Sequence, residues 1–139
     1  MSKASLNQFQ DVLTVKSIII VAIHAFIGWA LCGSIIGIGR QLWTMETTLI
    51  VHALGAPVVF LVVSLVYFTY FNYTSPLQTA IIFVAATILL DFFIVALLIE
   101  RSFDMFGSVI GTWIPWATMF VTTFIVGKYI ENRKSRQAG

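Results

Sequence analysis

Four long apolar runs decide most of what this chain can become. They cover about residues 17–38, 48–71, 79–99 and 107–130. Each is close to the ~20 residues that cross a ~30 Å hydrocarbon core as an α-helix rising about 1.5 Å per residue. In lipid a backbone must satisfy its own hydrogen bonds, so runs of this length span as helices. Barrel strands would be shorter and would alternate apolar with polar residues, which these runs do not. The links "GRQLWTMET", "NYTSPLQ" and "ERSFDMF" leave no room for a soluble domain and predict antiparallel neighbours. Composition agrees: 59% of the 139 residues are hydrophobic and 10% are charged, against about 25% charged in soluble domains. The expected fold is all-α, an integral membrane four-helix bundle in antiparallel up-down order, with residues 1–139 forming a single transmembrane domain.

Charge sets the expected orientation. Lys3, Lys16, Lys128, Arg133, Lys134 and Arg136 fall at one end of the bundle, and only Arg40 and Arg101 at the other. Positive residues stay inside, so both termini are expected to be cytoplasmic, in a multi-pass protein of the cell inner (plasma) membrane. Tryptophan and tyrosine favour the two interfaces. Trp43, Trp113 and Trp116 fall toward the outer face with Trp29 deeper, and Tyr67, Tyr70, Tyr73 and Tyr129 toward the inner face. The first apolar run begins only after Lys16 and is too long for a signal peptide, so it reads as a retained span. Ahead of it, Leu6, Phe9, Leu13 and Lys16 recur at helical spacing, as a short interfacial helix or a frayed end. The "NYT" glycosylation pattern falls on the cytoplasmic loop and is a chance match. No basic run is interleaved with aromatics, so nucleic acid is not an expected partner.

"GSIIG" (Gly33 to Gly37) and "GSVIG" (Gly107 to Gly111) lie at similar depth in the first and fourth spans. Glycine at i and i+4 strips one helix face and lets backbones approach. The pair predicts a contact between helices one and four, or a symmetric contact between protomers of a homo-oligomer. Pro57 and Pro115 each remove a helical N–H and predict kinks, with a hollow between helices two and four.

The ionisable residues inside the spans are His24, His52 and Asp91, with Glu100 at a boundary. At the helical rise, His24 lies about 10 Å and Asp91 about 18 Å above the inner boundary, and His52 about 6 Å below the outer one. A charged aspartate at the centre of a span costs about 2.5 to 3.5 kcal/mol. Asp91 therefore faces protein or a wet cavity, or carries a proton. In an α-helix Thr87, Val84, Val95 and Leu98 share its face. Glu100, nine positions on, falls half a turn out of phase, so the two carboxylates are not expected to meet. The expected binding residues are Asp91, His24, His52 and Thr87, with one histidine as partner to Asp91. Trp113 and Trp116 are candidate pocket walls.

Three functions fit. A transport or ion/proton-conducting module would use Asp91 as its intramembrane acidic site. An accessory or structural subunit of a membrane complex would use it to bond neighbouring helices. A haem- or quinone-binding redox subunit would use the histidines, although their depths differ by roughly 15 Å in a ~30 Å core, against bis-histidine haem. An enzyme is least favoured: HExxH, GxSxG and phosphate-loop motifs are all missing, as is a metal-ligand cluster. Cys32, the single cysteine, forms no internal disulfide and reads as a small apolar residue. The partners expected are the lipid bilayer and further copies or other membrane subunits, and the first of the three functions is favoured.

Overall fold

The computed structural model describes residues 2–139, and the side chains of all of these except 8–13. Four helices account for most of them, and no strand occurs among the described residues. Helix α1 is Lys3–Leu42, α2 is Met45–Tyr70, α3 is Pro76–Leu90 and α4 is Ile114–Ala138. Two wider segments, wound with i→i−5 hydrogen bonds, extend α3 over Asp91–Glu100 and precede α4 over Val109–Trp113. A 3₁₀ turn, Asp104–Gly107, lies between them. The four helical spans are long and apolar enough to cross a membrane. Between 17% and 33% of the most apolar stretch of each is buried, so most of the large apolar side chains face outward.

Residues 5–16 belong to α1, which runs unbroken from Lys3. No glycine or proline separates them from the first span, so they form no element of their own. The side chains of Phe9 and Leu13 lie outside those described. The helix starts follow local chemistry. Thr44 accepts a hydrogen bond from the Thr47 N–H, starting α2 after a two-residue link from α1. Ser75 and Gln78 form a reciprocal capping box around Pro76 at the first turn of α3. Asn72 takes the left-handed conformation (φ 52°) that ends α2.

The helices form a ring in the order α1, α2, α4, α3. Helices α1 and α4 stand on one diagonal, α2 and α3 on the other. The short link at 71–75 thus joins antiparallel helices that are not neighbours, and the expected packing of helix one on helix four does not form. Its glycines do not serve that contact either. A Cβ added at Gly33, Gly37 or Gly107 would meet nothing within 4 Å. Gly111, the fourth of these glycines, lies close against Leu49 of α2, and the other close approaches are Gly28 against Phe60, Gly39 against Thr48, Gly55 against Ile35 and Gly127 against Phe68 and Pro76.

One end of the bundle carries both termini and the α2–α3 link; the other carries the α1–α2 and α3–α4 links. The half nearer the termini is filled. Val21, Ala25, Phe60, Tyr67, Phe68 and Phe83 are almost wholly buried there, and the Ser64 hydroxyl donates to Thr123 Oγ1 at 3.1 Å across α2 and α4. Tyr67 is therefore a core residue and not part of an interfacial girdle. Its hydroxyl lies 2.7 Å from Thr74 Oγ1 and accepts the Thr74 N–H at 3.1 Å, and Thr74 Oγ1 in turn meets Thr79 Oγ1. Tyr67→Phe leaves the Thr74 N–H without its acceptor. Because Thr74 is half-buried, the expected loss is about 1 kcal/mol, measured as a lower thermal midpoint in detergent.

Candidate functional site

The other half of the bundle is hollow. A cavity of about 380 Å³ lies among all four helices there, within the ~300–1,000 Å³ range of small-molecule sites. It exists because small residues face one another at this level: Cys32, Gly33 and Gly37 on α1, Ala56 on α2 and Gly111 before α4. The "GSIIG" glycines thus open space instead of closing a helix contact. Phe60, fully buried, forms part of the floor. Pro115 lines the wall at the start of α4, where the wide segment Val109–Trp113 takes up the break in α-helical bonding. Helix α2 continues as a helix through Pro57.

Asp91 stands in this wall, with Thr87 one turn away on the same lining. The carboxylate meets two tryptophans and neither histidine. Trp29 Nε1 on α1 donates to Asp91 Oδ1 at 2.8 Å, and Trp116 Nε1 on α4 donates to Asp91 Oδ2 at 3.1 Å. One acidic side chain therefore ties α3 to both helices of a diagonal. The indole suits this role because it is a donor only, carried on an otherwise apolar side chain. An ionised carboxylate offers about four acceptor positions, so two remain for a further group.

The two histidines have separate fates. His24 lies in the filled half, with Nδ1 2.8 Å from the Ile20 carbonyl and its ring edge-on to Tyr67 and Phe71. His52 lines the cavity and is 7% exposed, and its Nδ1 has no hydrogen-bond partner among the described residues. A buried polar atom without a partner in a cavity wall is a natural contact for a ligand. No group of three or more metal-ligating side chains occurs among the described residues. Trp116 lines the cavity, whereas Trp113 is exposed and donates to the Phe106 carbonyl at 2.8 Å.

Glu100 also lines the cavity, contrary to the α-helical phase. The wide winding turns each residue by roughly 80° instead of ~100°. Nine steps from Asp91 then make about two full turns and bring Glu100 back to the starting face. The lining on this helix is accordingly Thr87, Asp91, Val95, Ile99 and Glu100, while Leu98, expected on that face, is 70% exposed. Glu100 pairs with Arg40 on α1. The same pair borders a second cavity of about 340 Å³ that shares Ile36, Val95, Met105 and Gly111 with the first and reaches the α3–α4 link.

The cavity opens sideways. Gly33, Gly37, Arg40, Ile99 and Glu100 line it and are also exposed, so its mouth runs along the seam between α1 and α3 up to the Arg40–Glu100 pair. What sequence reasoning missed was chiefly Trp29 as the partner of Asp91. The signal for Trp29 was its depth, since an indole so far from the interface needs an acceptor inside the bundle. Neither a family model, nor a curated protein, nor a solved structure matches this chain.

Proposed function

We propose that the chain is a multi-pass membrane protein with both termini cytoplasmic, serving as a small-solute transport module that binds its solute in the cavity beside Asp91. The observation that carries this reading is the carboxylate itself, half-buried in the wall of a 380 Å³ cavity with both oxygens oriented by indole donors. Intramembrane ionisable residues mark solute and ion pathways. A purely structural aspartate would not need a cavity beside it. The filled half of the bundle favours solute binding over a continuous ion pore, because Phe60, Tyr67 and Phe83 leave no path through this conformation. Passage then requires the helices to rearrange around a bound solute.

The test is uptake by proteoliposomes of a panel of small amphipathic cations, anions and neutral solutes. Wild-type protein is expected to accumulate at least one class above protein-free vesicles. Asp91→Asn is expected to reduce that uptake at least tenfold, as loss of a charged hydrogen-bonding group costs about 1.5–3 kcal/mol. Its elution on size exclusion is expected to match wild type. Uptake of nothing in the panel, or equal uptake by a well-folded Asp91→Asn protein, sinks the proposal.

A further inference from the structure

We infer that the solute is a lipophilic organic cation, an aromatic amine or quaternary ammonium that reaches the cavity from the lipid through the α1–α3 seam. This rests on the reading of the cavity as a solute site and adds its chemical class. Three observations converge. The first is charge: Asp91 and Glu100 face a single Arg40, so an ionised Asp91 gives the lining one surplus negative charge. Glu100 is held by Arg40, which leaves Asp91 as the uncompensated carboxylate.

The second is the surround of that carboxylate. Trp29, Trp116 and Phe60 form walls near Asp91, and aromatic walls attract organic cations through their ring quadrupoles. An anion would meet the Asp91 carboxylate and find Arg40 already paired. A small hydrated metal ion would meet apolar walls and lacks a ligand cluster among the described residues. An organic cation satisfies both the charge and the apolar lining.

The third is the route. Gly33, Gly37 and Ile99 border the mouth, and glycine puts no side chain in the way. The glycine part of this seam faces hydrocarbon once the helices span a bilayer, so a solute entering there must dissolve in lipid. His52 Nδ1, unpartnered among the described residues, offers a second polar contact to a solute carrying a hydrogen-bond donor.

The experiment compares three probes of one shape on the wild-type protein in nanodiscs, read by tryptophan fluorescence: benzyltrimethylammonium, its uncharged isostere neopentylbenzene, and phenylmethanesulfonate. The cation is expected to bind at least tenfold more tightly than either of the others. Asp91→Asn is expected to weaken cation binding at least tenfold. Gly37→Leu, which fills the mouth without touching Asp91, is expected to slow its association. Equal or tighter binding of the neutral or anionic probe overturns the cationic class and leaves the cavity reading standing. Failure of the cation to bind also overturns the class, and the solute panel then decides the cavity reading separately. The comparison of probes needs no variant, so a folding defect in Asp91→Asn does not blunt it.

Discussion

Phe60→Ala is expected to lower the free energy of unfolding in detergent by about 3 kcal/mol. Truncating a buried phenylalanine costs about 3–5 kcal/mol in soluble cores. The lower end applies here because burial between helices in an apolar solvent gains packing but little transfer from water. The packing at stake is extensive. Phe60 is fully buried, its ring lies 5.7 Å from that of Phe83, and its edge occupies the space a side chain would fill at Gly28. The aromatic side chain separates cavity from core, so its removal also deepens the cavity. Bulkier solutes should then bind better relative to small ones. A loss under about 1 kcal/mol, well below the range for such truncations, would show that this layer is loosely packed.

The second large effect is a contrast of sign between two glycines. Alanine in place of glycine gains about 0.5–1 kcal/mol in a helix. At Gly127 that gain is outweighed. The new Cβ would lie 2.7 Å from Phe68 Cζ and 2.7 Å from Pro76 Cβ. The proline is fixed at the start of α3 and cannot swing aside. Overpacking of this kind costs about 1–3 kcal/mol, so Gly127→Ala is expected to be a net destabilisation. Gly33→Ala meets nothing within 4 Å and should be neutral or mildly stabilising. Parallel melts of the two variants decide the matter. If Gly33→Ala is as damaging as Gly127→Ala, then Gly33 packs against a second protomer, as a homo-oligomer would require.

The four helices were legible because lipid-length apolar runs admit few alternatives, and each observed helix contains most of its expected run. Their arrangement was less legible. Short links imply antiparallel order but not adjacency, and α2 and α3 share a five-residue link while standing on a diagonal. The pairing of Asp91 with Trp29 and Trp116 was hidden for a related reason. Depth along straight helices selects histidines as readily as indoles, and only the packed ring brings α1 and α4 to the same carboxylate. Tyr67 looked interfacial because tyrosines cluster at that end of the bundle, and its burial depends on Thr74 and Thr79 folding back to meet it. The position of Glu100 was beyond reach, since α-helical and wider winding share one residue pattern and differ only in which carbonyl each N–H selects.

That wider winding has a consequence for how the chain length can change over evolutionary time. A turn closed by i→i−5 bonds holds one residue more than a turn closed by i→i−4 bonds. Loss of a single residue between 92 and 98 can be absorbed by tightening one such turn, leaving Asp91 and the carboxylate after it on the cavity side. The same deletion inside α2 would rotate everything beyond it by about 100° and turn His52 or Tyr67 out of place. The stretch that carries both cavity carboxylates is thus the span most open to gain or loss of a residue, and related chains can differ in length there while keeping the same wall.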